Sequence, residues 1–93
     1  MILGLRRVSG ASMMPTYKDG QIVVVTSLIK PCVGQVVVAR LLTEEVIKRV
    51  RAITTEGKYY LEGDNHLESV DSREYGAIAR EFVRAVVIYP RRK

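Results

Sequence analysis

The chain has little of what the most recognisable sequence motifs are made from. Its one cysteine, Cys32, can form no disulfide within the chain and leaves no cysteine cluster for zinc, which suits a reduced cytoplasm. Its one histidine, His66, stands in a polar stretch with no second histidine to replace it. A histidine-dependent triad is therefore poorly served, and His66 reads as a surface residue. Acidic residues are scattered rather than gathered at metal-ligand spacing, and glycine-rich phosphate loops are absent, so the sequence implies no metal and no cofactor. The clearest apolar runs, 22–25, 36–39 and 85–89, fall far short of the roughly 20 residues that span a bilayer. No integral membrane anchor is expected. Residues 1–7 place charge after a short apolar run, the reverse of a secretory signal, which again points to the cytoplasm.

Charge of one sign is also scarce away from the ends. The formal net charge is +5, and Arg6, Arg7, Arg91, Arg92 and Lys93 supply five of the 15 basic residues, so the remainder balance the 10 acidic ones. Nucleic-acid binding expects cations along one face with aromatic platforms between them, and this pattern is missing. The basic ends could attract an acidic partner or phospholipid headgroups in a peripheral contact, although solvated tails are the plainer account.

What is present reads as strand. β-branched and aromatic residues come in short runs between turn residues, and no window holds helical periodicity for the length of an ordinary helix. An all-β, compact antiparallel domain occupying residues 1–93 is expected. Strands are predicted over 3–8, 21–26, 35–42, 46–53, 58–62 and 82–89. Turns fall at 17–20, 31–34, 43–45 and 55–57, and a long polar loop at 63–76. The runs in 21–26 and 35–42 suggest strands covered on both faces. The strands 35–42, 46–53 and 58–62 would form a meander.

Two residues carry the chemistry. Ser12 sits in the bend Gly10-Ala11-Ser12-Met13-Met14-Pro15-Thr16, and a serine hydroxyl needs a base and an oxyanion donor to act as a nucleophile. Strict alternation in 46–53 puts Val46, Lys48, Val50 and Ala52 on one face, and Ile47, Arg49, Arg51 and Ile53 on the other. Lys48 is then a lysine among small apolar neighbours. Burial there would lower its pKa from about 10.4 and make the neutral amine a base for Ser12. Alternatively, Lys48 snorkels its ammonium to water, and Ser12 is an ordinary turn serine.

Four segments in this order resemble the signal peptidase I family of serine-lysine endopeptidases. The bend 10–16 is similar to its nucleophile box, and Gly20-Gln21-Ile22-Val23-Val24 with Pro31-Cys32-Val33-Gly34-Gln35-Val36-Val37-Val38 to its paired Gly-Asp strand starts, with glutamine for both aspartates. Ile47-Lys48-Arg49-Val50 resembles its lysine box, and residues 63–76 its closing box. The resemblance implies Ser12 as nucleophile, Lys48 as general base and Ser69 as the hydroxyl that orients the amine. It implies an oxyanion region at Gly10 and Ser12, and structural pairs Asp64 with Arg49 and Asp71 with Arg73. Met13 and Met14 are candidates for the substrate groove or for core filling. The fold it implies is that of signal peptidases and repressor-cleavage domains, with partly open, barrel-like sheets.

Within that group the chain's size and its ending Ile88-Tyr89-Pro90-Arg91-Arg92 resemble the small maturation peptidases associated with nickel superoxide dismutase. The implied substrate is a precursor protein losing a short N-terminal leader. Alternatives are the catalytic core of a signal peptidase acting at a membrane, a self-cleaving repressor domain, and a catalytically silent β-barrel that binds peptide or nucleic acid. The repressor alternative expects an Ala-Gly or Cys-Gly scissile pair, and neither dipeptide occurs.

Overall fold

The computed structural model describes residues 1–91; Arg92 and Lys93 of the basic tail lie outside the described residues. Six strands, β1 (Gly4–Arg7), β2 (Ile22–Thr26), β3 (Val36–Leu41), β4 (Glu44–Ile53), β5 (Tyr59–Glu62) and β6 (Val83–Tyr89), form one antiparallel sheet in the order β1-β2-β6-β3-β4-β5. The fold is all-β, as expected, and β3, β4 and β5 form the meander. The sheet curls on itself. Arg6 of β1 donates to Glu45 of β4 at 2.8 Å although three strands separate them in the ladder.

The period of two divides the central strands between two cores. Val36 and Val38 of β3, with Ala85 and Val87 of β6 and Val23 and Val25 of β2, pack under Val8, Met13 and Tyr17. Val37, Ala39 and Val86 face the other way, against Val50, Tyr59 and Leu61. β3 is therefore covered on both faces. β2 is not: Val23 and Val25 are buried but Ile22 is 48% exposed, because the second core lies over β3 to β6 and does not extend to β2.

Other boundaries differ locally. The β3–β4 turn is only Leu42-Thr43, with Leu41 opposite Glu44, so Glu44 and Glu45 belong to the strand. Leu42 takes a positive φ of 53°. A bulge at Arg51 lets Val50 pair with Leu61 and Ala52 with Tyr60. Alternation breaks there, and Ala52 is exposed rather than sharing the buried face of Lys48. Residues 80–82 form a 3₁₀ turn, delaying the last strand to Val83. The polar loop contains one helical turn, α1 (Ser72–Tyr75), whose N-terminus Asp71 caps by accepting from Arg73 N.

Candidate active site

The bend carrying Ser12 is closed at its base by backbone hydrogen bonds from Val8 N to Gln21 O and from Gly20 N to Val8 O. Gly10 enters it with φ +80°, a conformation that favours glycine. Within the bend, Met14 N donates to Ala11 O and Tyr17 N to Met13 O, the pattern of tight turns. Apolar burial fixes its inner side. Met13 is fully buried in the first core, so it fills the core and lines no groove, whereas Met14 is 40% exposed and stays available to a bound chain. Gly10 cannot supply an oxyanion donor from its own N–H, which donates to Asp19 Oδ1 at 2.8 Å. The Ser12 N–H has no partner among the described residues.

Lys48 lies in β4 opposite Val37 and is 5% exposed. Its Nζ donates to Ser69 Oγ at 2.9 Å. An ammonium offers three donors, and this amine meets one hydrogen-bond partner among the described residues. Burial pushes the Lys48 pKa below its ordinary value, the Asp71 carboxylate pulls it back up, and Arg73 again favours the neutral form.

Behind Ser69 stands a charge that the sequence did not suggest would come so close. Ser69 Oγ donates to Asp71 Oδ2 at 2.7 Å, and the same oxygen accepts from Gly63 N at 2.9 Å. Arg73 closes the chain with Nε at 2.9 Å from Asp71 Oδ1 and Nη2 at 3.1 Å from Oδ2. Burial alone would raise the Asp71 pKa, but these hydrogen bonds together hold it well below the usual carboxylate range. An aspartate so close should raise the lysine's pKa. Arg73 works against that by balancing the carboxylate it binds.

Asp64 and Arg49 make the second pair. Arg49 Nε donates to Oδ1 at 2.9 Å and Nη2 to Oδ2 at 2.8 Å, a bidentate geometry. Thr16 Oγ1 adds a bond to Asp64 Oδ2 at 2.6 Å, tying the Ser12 bend to the pair. Arg49 Nη1 also donates to Gly34 O at 2.6 Å. The Asp64 hydrogen bond raises the Arg49 pKa. Burial raises the Asp64 pKa, but its hydrogen bonds win and lower it overall.

Two further residues bring the bend and the closing loop together, and neither had a sequence signal that set it apart from other loop residues. Asn65 donates from its backbone to Ser12 O at 2.8 Å and from Nδ2 to Ala11 O at 3.0 Å. Gly63 lies between the candidate nucleophile's backbone and the candidate orienting serine. A Cβ there would come within 2.3 Å of Ser69 Oγ and 2.6 Å of Ser12 O, so only glycine permits the approach. The helical turn after it was more legible, since Asp71 followed by Glu74 at the third position is a helix-start pattern. The Ser12 hydroxyl makes no hydrogen bond among the described residues, and Lys48 reaches only Ser69. His66 is exposed, its Nε2 3.5 Å from Glu62.

Residues 3–82 match the Peptidase S24-like family. The chain belongs to that family. Membership of the S24-like peptidases supports serine-lysine peptidase chemistry in general, and the match spans both the Ser12 bend and the closing loop. No curated protein matches the chain. Among the described residues of this S24-like domain, no helix is long and apolar enough to cross a membrane, and no group of three His, Cys, Asp or Glu side chains gathers as metal ligands.

Proposed function

We propose that the chain is a serine endopeptidase in which Ser12 is the nucleophile and Lys48 the general base, and that it removes a short N-terminal leader from a precursor protein, nickel superoxide dismutase. The observation that carries the reading is the buried Lys48 amine, held by Ser69 in the loop that also grips the Ser12 bend. In the reaction, the neutral amine takes the Ser12 hydroxyl proton as the oxygen attacks the scissile carbonyl. The Ser12 N–H faces the developing oxyanion. The protonated amine gives its proton to the leaving nitrogen, and the regenerated amine then activates the water that hydrolyses the acyl-enzyme. Such proton transfer contributes about 10²- to 10⁴-fold. Substrate closes the remaining gap between Ser12 and Lys48, since catalytic hydrogen bonds commonly tighten only in the complex.

The dismutase assignment rests on the resemblance of the segment Ile88-Tyr89-Pro90-Arg91-Arg92. The absence of an Ala-Gly or Cys-Gly pair favours a substrate supplied by another chain over self-cleavage. The enzyme would then work in the cytoplasm, on a soluble precursor.

Mass spectrometry of a nickel superoxide dismutase precursor, incubated with wild type, Ser12→Ala and Lys48→Met protein without detergent, tests both levels. Cleavage at one leader junction by wild type alone supports them. Cleavage only of a membrane-tethered secretory precursor removes the dismutase and leaves the dyad. Inactivity on both, with Lys48 titrating as a solvated lysine, overturns the peptidase reading.

A further inference from the structure

We propose that a cationic cleft on the far side of β4 from Lys48 binds an acidic segment of the protein being cut, away from the scissile bond; this rests on the peptidase reading above. The cleft has a volume of about 910 Å³ and runs between the Ser12 bend and the Arg49 side of β4. That is within the range of sites that enclose small ligands. Its lining includes Arg51, Arg91 and His66, together with the apolar side chains of Val33, Val36 and Val87.

The charge in this cleft is unbalanced. Arg49 and Asp64 satisfy each other at 2.8 Å and contribute no net field. Arg51 and His66 both lean on Glu62, at 3.6 Å and 3.5 Å, too far for either to be held firmly. Arg91 is exposed and has no described partner. Its position is not accidental, because the Tyr17 hydroxyl, buried in the first core, donates to the Pro90 carbonyl and fixes the chain just before it. With Arg49 and Asp64 paired, Arg51 and Arg91 are left with no opposing carboxylate in the lining of the cleft.

The shape favours a peptide over a membrane surface. The cations line a recess with valines among them, which suits acidic side chains with aliphatic stems, whereas a bilayer meets a convex or flat face. Continuity with the candidate active site gives the occupant its identity. Thr16 lines the cleft and belongs to the Ser12 bend, and His66 lines it one residue after Asn65, which holds the Ser12 carbonyl. A substrate whose scissile bond lies at Ser12 can continue into the cleft over this wall. Because Arg49 and Lys48 point to opposite faces of β4, the segment bound there takes no part in the chemistry.

The test uses isotope-labelled Ser12→Ala protein, which cannot cleave, titrated with N-acetylated, amidated tetraglutamate and followed by amide chemical shifts. Saturable shifts at Val33, Gln35, Arg51 and His66 are expected, weakening with added salt. Arg51→Gln should weaken binding by about fivefold, and Arg51→Gln with Arg91→Gln by more than about tenfold. Both side chains are exposed, and the same spectra report whether the variants remain folded. Equal shifts with tetraglutamine, or shifts confined to Arg6 and Arg7, overturn the proposal. Binding of phosphatidylserine vesicles without binding of the peptide also overturns it, and assigns the charge to a membrane surface. Because binding is read without catalysis, failure here is distinct from failure of the peptidase reading.

Discussion

Lys48 and Arg49 are consecutive residues of one strand, 5% and 6% exposed, and the fold surrounds these two buried basic side chains in opposite ways. Arg49 meets a carboxylate in bidentate geometry and a backbone carbonyl besides, so its charge is fixed and its pKa rises. Lys48 meets only a hydroxyl, with the Asp71 carboxylate placed one residue further off and already occupied by an arginine, so burial prevails and its pKa falls. Equal burial does not make equal sites. What decides is whether the first partner carries charge, and where the countercharge behind it is spent.

The sharpest way to break this comparison is to remove the two cations separately. Arg49→Met leaves Asp64 buried without its partner and should cost about 3 to 5 kcal/mol in denaturant unfolding. Lys48→Met should change stability by less than about 1 kcal/mol, because an apolar side chain replaces a buried amine with one partner. If the two variants cost the same, Lys48 is a structural cation after all. The pH dependence follows the same division. Asp64 and Asp71 are held below the ordinary carboxylate pKa of about 3.9, so their contribution is complete above that value and is lost as the pH falls through their folded values. Arg49→Met leaves burial to raise the Asp64 pKa, so its stability deficit against wild type should shrink as the pH falls and Asp64 is protonated, whereas Lys48→Met should show no such narrowing.

A smaller effect isolates the hydroxyl between the amine and the carboxylate. Ser69→Ala should lower kcat/KM by about a hundredfold through loss of amine placement, leaving KM near wild type. Its stability cost should be only about 1 kcal/mol, since Asp71 keeps its bonds from Gly63 and Arg73. A large rise in KM instead would make Ser69 a substrate contact.

The smallest effect should come from Arg73, which touches neither the amine nor its hydroxyl. The rise of kcat/KM with pH should follow loss of the Lys48 proton, below the range of a free lysine. Arg73→Gln removes the cation that balances Asp71, so this rise should shift to higher pH, and Arg73→Lys should bring it partway back. An unchanged profile would leave Arg73 as a support for the loop alone.

How much of this could be read from the chain varies with the range of the interaction. Strand identity was legible because β-branched runs and turn residues are local, and the oddity of Lys48 was legible because alternation is local too. The bulge at Arg51 was not, since it depends on which residue of β5 meets Val50. The exposure of Ile22 depended likewise on where the second core stops. In the site, the Arg49–Asp64 and Arg73–Asp71 pairs came from the family resemblance, not from spacing. The grip of Asn65 on the Ser12 bend joins residues more than fifty apart. The two demands on Gly63 meet only after folding. Strand patterning cannot show that the Gly10 N–H is already taken by Asp19.

The place of β6 in the sheet also bears on when the protein can act. The Ser12 bend joins β1 to β2, while Lys48 stands in the meander of β3, β4 and β5, and β6 alone joins these two halves in the ladder. During synthesis the other five strands leave the ribosome first. The halves can then lie near each other, but no strand stitches them together until residues 83–89 have emerged. A nascent chain would thus carry the proposed nucleophile and the proposed base on separate pieces, and the site would be assembled only with β6, the last of the six strands to be made.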